Sequence, residues 1–296
     1  ILWVFALCAC GEAPVTPPRV AAEKSQLGAS DDGNQLPVYD IRKLPTLGGK
    51  TSRGNSVNNR EWVAGYSTLA NNLSRHATLW QDGGLTDLGT LGGANSSVAW
   101  PGQNDRGMVV GIAETDQVDA LHEDWSCASF FPSTGHVCLG FVWQNGRMRA
   151  LPTFKGGING FATGVNDRGY VVGWAETKVH DPTCNAPQVL QFRAAIWNAH
   201  TGEMRELRPL SGDSTSAATA INERGQLVGI SGDCDVAVGE FSARHAVLWE
   251  RGRAMNIGDL GVVAWNTPLP IYREGDGCCL PAPPGDAPRW LPPRRP

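Results

Sequence analysis

The sequence predicts an all-β fold, a β-propeller-like array of four complete four-stranded blades with an incomplete fifth. Three observations carry this. The motif Asn-Asp-Arg-Gly-x-Val-Val-Gly stands at 104–111 and 166–173, in a looser form at 222–229, and earliest as Asn58-Asn59-Arg60-Glu61-Trp62-Val63-Ala64-Gly65, so its copies start 46, 62 and 56 residues apart. The apolar segments are four to eight residues long, β-branched or aromatic, and bounded by Gly, Asn or Asp, with no sustained helical period. Thirty-six glycines in 296 residues suit short strands and tight turns rather than helices.

From the N-terminus, Ile1–Leu7 is an uncharged apolar run too short to span a bilayer. It reads as the core of a secretory signal whose basic n-region is missing, since the chain opens without methionine. Leu7-Cys8-Ala9-Cys10 resembles a bacterial lipobox, which makes Cys10 the candidate for lipidation. An ordinary signal peptide is the alternative. Acylation would hold the protein on a membrane through its lipid alone, more than one chain giving stable anchoring. Residues 11–37, rich in Ala, Pro, Ser and Gly, read as a flexible linker.

The repeat domain is expected over 38–275, each unit holding four strands. The first precedes the motif, and the second is its Val-Val-Gly run. The third ends in tryptophan, at Trp80, Trp143, Trp197 and Trp249, which are expected to pack between blades. The fourth follows a Gly turn and runs into Asp87-Leu88-Gly89 or its equivalents. The Asp-Arg-Gly turn should place Gly107, Gly169 and Gly225 in the left-handed conformation of a bulged hairpin, with the asparagine satisfying turn backbone groups. Glu61 takes the glycine position in the first copy.

In order, Asp-Leu-Gly-Thr-Leu-Gly-Gly, Asn-Asp-x-Gly-x-Val-Val-Gly and His-Ala-x-Leu-Trp resemble the HAF repeat of bacterial extracellular proteins over roughly 39–265. The resemblance implies secretion and a propeller-like β fold, and no particular activity. Leu139 and Arg193 stand where His76 and His245 do, which argues against one histidine-based site shared by all units.

Val38–Leu44 reads as a fourth-type strand that would complete the last blade and remove its open edge. The fifth unit begins near Val262–Asn266, and Ile271–Gly275 still resembles the motif before the pattern fails. Nine of the 20 prolines fall in 268–296, and proline is excluded from central strands, so 276–296 is expected to be a disordered tail. The abrupt loss of pattern also suits a frameshifted or truncated product.

Functional residues are expected on one face. The long insertions, 112–138, 174–191 and 230–242, all join second to third strands. They carry Cys127, Cys138, Cys184 and Cys234, which in an exported chain suggest the disulfides Cys127–Cys138 and Cys184–Cys234. Metal binding by His122, Cys127, His136 and Cys138 is a rival, but the spacing matches no zinc pattern. Glu114 and Glu176 both follow Val-Val-Gly-x-Ala; two carboxylates on one face would suit an acid–base pair, but the favoured reading is two solvated loop acids. His122 and Trp125 are further candidates for ligand contact; the Trp125 ring could stack on a sugar, but the favoured reading is that it covers the loop's own disulfide.

Net charge of -4, with arginines clustered only at 289, 294 and 295, argues against nucleic acid. No phosphate loop or nucleophile elbow is present, so no cofactor or resident metal is expected. The first functional reading is a monomeric, exported, non-catalytic binding or scaffold module at the periplasmic or outer surface, with a glycan or protein as ligand. The second is a hydrolase of a glycan or phosphate ester, and the third a fragment without function.

Overall fold

The computed structural model describes residues 41, 43–123, 125–128, 130–132, 134–258 and 266–268. The chain divides into Ile1–Leu44 and Pro45–Pro296, and the second unit holds the fold. Among the described residues it contains four open, antiparallel, four-stranded sheets in simple meander order, consistent with propeller blades. Blade 1 is β1 (Gly48–Val57), β2 (Val63–Leu69), β3 (Arg75–Gln81) and β4 (Gly84–Asp87). Blade 2 is β5 (Gly92–Ser97), β6 (Val109–Val118), β7 (His136–Gln144) and β8 (Arg147–Ala150). Blade 3 is β9 (Gly160–Val165), β10 (Tyr170–His180), β11 (Leu190–Asn198) and β12 (Met204–Leu207). Blade 4 is β13 (Thr215–Ile221), β14 (Leu227–Gly232), β15 (His245–Glu250) and β16 (Arg253–Asn256). A single helical turn among the described residues, α1 (Trp125–Ala128), lies in the blade 2 insertion.

The repeated motif forms the hairpin between first and second strands. Gly107, Gly169 and Gly225 have φ of 79, 78 and 80°, and Glu61 takes 61°. In each copy one asparagine oxygen accepts two turn amides; for Asn166 these are Arg168 N and Tyr170 N, both at 3.1 Å. The same side chain also ties blades together. Asn58 Nδ2 donates to Asn104 O, Asn104 Nδ2 to Asn166 O, and Asn166 Nδ2 to Asn222 O. Alongside, the backbone N–H groups of Asn59, Asp105 and Asp167 donate to the carboxylates of Asp105, Asp167 and Glu223 in the next blade. The Asn-Asp pair is therefore a joint that fixes each blade to its successor.

A bulge in the first strand makes a second joint. Register shifts leave Asn55, Thr163 and Thr219 unpaired in their ladders. Their side chains reach into the following blade, to Val98 O, Ala218 O and Pro268 O at 2.7, 2.9 and 2.7 Å. The bulge presses the first strand onto the glycine of Val-Val-Gly: a Cβ on Gly173 would lie 1.9 Å from Phe161 O. That close approach explains why the run ends in glycine.

The four repeated tryptophans are buried, and Trp143, Trp197 and Trp249 pack against residues of the preceding blade. Trp80, Trp197 and Trp249 also donate their indole N–H to Pro45 O, Pro152 O and Arg208 O, pinning the segment that leads into their own blade.

Two expectations need correction. Ile41, Lys43 and Leu44 lie outside any strand, and the rest of Val38–Leu44 is outside the described residues. The outer positions of blades 1 to 4 are filled by β4, β8, β12 and β16, and the fifth blade that this segment was expected to complete is described only at 266–268. The insertions are also less loop-like than expected. β6 and β7 pair as far as Val118 and His136, and β10 and β11 as far as His180 and Leu190.

Of the fifth unit only 266–268 is described. It lies on blade 4, where Asn266 bonds to Ala243 O and Arg244 O and Pro268 accepts from Thr219. Pro268 thus takes the place against Thr219 that Ala218 takes against Thr163. Cys10 and the segments 1–10, 11–37 and 276–296 lie outside the described residues.

Candidate functional site

The three insertions form a braced cap on the face away from the motif hairpins. Both cysteine pairs are disulfides, Cys127–Cys138 within the blade 2 insertion and Cys184–Cys234 between the insertions of blades 3 and 4. Around the second bridge the backbones pair, with Asn185 N donating to Asp235 O and Asp235 N to Thr183 O. Beneath lies an apolar cluster that includes Ile112, Phe131, Phe161, Trp174, Ile230 and Ala237. Phe161 packs on Phe130 and on Trp174, with ring centroids 4.7 Å apart in each case. The cap has its own core, so its loops are fixed.

Glu114 and Glu176 are both buried and each serves its own blade. Glu114 accepts Ala94 N and Asn95 Nδ2 on one oxygen and Thr134 N and Oγ1 on the other. Glu176 accepts Ile158 N and Asn159 N on Oε2 and Gln188 Nε2 on Oε1. Each carboxylate fastens the start of the first strand, a task that Thr68 performs in blade 1 by bonding Thr51 N and O. Burial, Glu123 and Asp119 push Glu176 up to about 8, against the opposing pull of the Asn159 and Gln188 hydrogen bonds. Asp181 shows the opposite balance: burial raises it, but bonds from Thr183, Gln191 and Ser214 bring it down to about 2.

His122 is exposed with a φ of 58°, and its N–H closes a turn onto Asp119 O. The Trp125 side chain lies outside the described residues. Cys127 and Cys138 are consumed by their bridge, and among the described residues no cluster of three His, Cys, Asp or Glu side chains is arranged to hold a metal. The structure does not bring the four ligand candidates into one solvent pocket, because Glu114 and Glu176 face inward and His122 outward.

A shallow open cleft of about 680 Å³ lies beside the cap, where blade 2 meets the segment leading into blade 3. Gln117, Val137, Leu139, Leu151, Phe154 and Lys155 are among its lining residues. Its origin is a paired exchange. His76 pairs with Asp87 in blade 1 at 2.9 Å, and Arg193 with Glu206 in blade 3 at 3.4 Å. In blade 2 the two positions are Leu139 and Ala150, so an apolar surface replaces an ion pair. Sequence reasoning noted Leu139 only as a departure from histidine. The signal it missed was the matching loss of the acid at Ala150.

Comparison with known proteins adds little. No family model and no curated protein matches the chain. One solved structure similar to it is the Pyrococcus horikoshii acylaminoacyl peptidase, at 12% identity and a TM-score of 0.39. The match covers 70% of this chain and 27% of the peptidase chain.

Proposed function

We propose that this chain is a non-catalytic binding or scaffold module of an exported repeat protein. The observation that supports it most is how the cap spends its polar groups. Glu114, Asp119 and Glu176 are occupied in holding the backbone, and the disulfides Cys127–Cys138 and Cys184–Cys234 brace the insertions into a fixed platform. Such a platform suits recognition, where preorganisation lowers the entropy cost of binding. The disulfides are consistent with an oxidising compartment. The lipobox-like Cys10 and the resemblance to HAF repeats support placement at the periplasmic or outer surface, anchored at Cys10. The cleft of Leu139 is the candidate contact, its apolar floor and Lys155 suiting a sugar face or an apolar side chain beside an anionic group.

The test is an array of glycans, peptidoglycan fragments and peptides, with parallel assays for glycoside and phosphate-ester hydrolysis. Binding without turnover is expected. Leu139→Arg should weaken it by about tenfold or more, with an unchanged melting temperature. Hydrolysis by the wild type that Glu176→Gln abolishes would overturn the reading in favour of an enzyme.

A further inference from the structure

Between the blade 2 insertion and blade 3, three carboxylates share one buried volume. Asp119, Glu123 and Glu176 are 0, 0 and 2% exposed. Asp119 accepts Leu121 N and Glu123 N from its own insertion and Asn159 Nδ2 from the start of blade 3. Glu123 Oε1 accepts Val189 N and Leu190 N, which lie just ahead of and at the start of β11. Gln188 Nε2 lies 3.1 Å from Glu176 Oε1 and 3.4 Å from Glu123 Oε1, and so sits between the two glutamates. The acceptors outnumber the donors: Glu123 Oε2 and Gln188 Oε1 are buried without a hydrogen-bond partner. The facing groups are Asp119 and Glu123 from the insertion, neutral Asn159 and Gln188 from blade 3, and His180 at the end of β10, whose field reaches Glu123. Three formal negative charges in a buried site, with one imidazole near, require a proton to be tolerated.

We propose that this trio is a proton-dependent latch. With Glu176 protonated, the insertion around Asp119–Glu123 stays fastened to Asn159 and Val189–Leu190. Loss of that proton releases it from blade 3. Glu176 is the group that holds the proton because it shares an amide with each of the other two acids, Asn159 Nδ2 with Asp119 and Gln188 Nε2 with Glu123, while His180 favours the charge on Glu123. Burial beside Glu123 and Asp119 agrees, since it places Glu176 at about 8. A carboxyl raised in the folded state contributes stability that is complete below its ordinary value. That stability is lost as pH rises from there through about 8.

Amide hydrogen exchange of the intact, disulfide-bonded chain tests this, with rates corrected for intrinsic base catalysis. Between pH 6 and pH 9, protection at Glu123, Val189 and Leu190 should fall by about a hundredfold, while amides of β13 and β14 keep theirs. Glu176→Gln should abolish the fall. Glu114→Gln, at the same place in blade 2, and His180→Asn should both retain it. Should Glu176→Gln fail to fold, Glu123→Gln removes the facing charge and moves the midpoint of the fall to lower pH. The proposal is overturned by flat wild-type protection, by a fall that persists in Glu176→Gln, by one that His180→Asn removes, or by a midpoint that Glu123→Gln leaves in place.

Discussion

Glu61 shows what one residue can cost a repeated turn. Its N–H bonds to Asn58 O at 3.0 Å, as Gly169 N does to Asn166 O, so the hairpin is the same. Only the side chain differs, and a non-glycine residue at a φ of 61° carries about 1–2 kcal/mol of strain. Glycine is freer in the unfolded chain, which offsets about 0.5–1 kcal/mol of that relief. Glu61→Gly should therefore stabilise the protein by about 0.5–1 kcal/mol in urea denaturation, and a destabilised variant would show that Glu61 makes a compensating contact. This turn was legible in the sequence because its chemistry is local: Gly after Asp-Arg, with Asn ahead. The burial of Glu114 and Glu176 was not legible. Both look like loop acids in one dimension, and only the fold shows that each caps the start of its own first strand. Asp119, Glu123, Asn159 and Gln188 gave no signal at all, since their association depends on which insertion lies on which blade.

The insertions were expected to be loops because their sequences lose the strand pattern, yet much of 112–138 and 174–191 is paired strand. Register explains the difference. Second and third strands continue past the sheet's common edge because the Cys127–Cys138 bridge and the Asp181 turn tie their ends together. The two bridges act on different scales. Cys127 and Cys138 are 11 residues apart, and Cys184 and Cys234 are 50 apart and join two blades. Loop-closure entropy predicts contributions of about 3 and about 4 kcal/mol respectively. Replacing Cys184 and Cys234 by alanine should thus lower stability more, by about 1 kcal/mol, than replacing Cys127 and Cys138. It should also loosen Thr183–Asn185 against Asp235, where proteolysis can be followed. Equal losses would mean that loop closure in the unfolded chain does not set the cost of losing each bridge.

Across blades 1 to 4, stability should pass from neighbour to neighbour: the asparagine ladder joins each successive pair, and bulge contacts add to it between blades 1 and 2 and between blades 3 and 4. The asparagine ladder runs in one direction and changes character at its end. Asn166 Nδ2 meets the backbone carbonyl of Asn222, whereas Asn222 Nδ2 turns to the side-chain oxygen of Gln226 in its own blade. Aspartate in place of either asparagine keeps the oxygen that accepts the turn amides, so the hairpin survives in both. At 166 the new carboxylate faces a fixed carbonyl in the next blade, and that repulsion has no escape. At 222 it faces Gln226, a half-buried side chain that can swing away. Asn166→Asp should therefore cost about 1–2 kcal/mol more than Asn222→Asp. Asn104→Asp, which faces the Asn166 carbonyl at 2.9 Å, should behave like Asn166→Asp. Urea titration of the three variants reads this directly. If all three lose the same stability, the ladder carries no energy between blades. The asparagine would then serve only its turn, and the motif's carboxylate contacts, with the bulge contacts of Asn55 and Thr163, would hold the blades together.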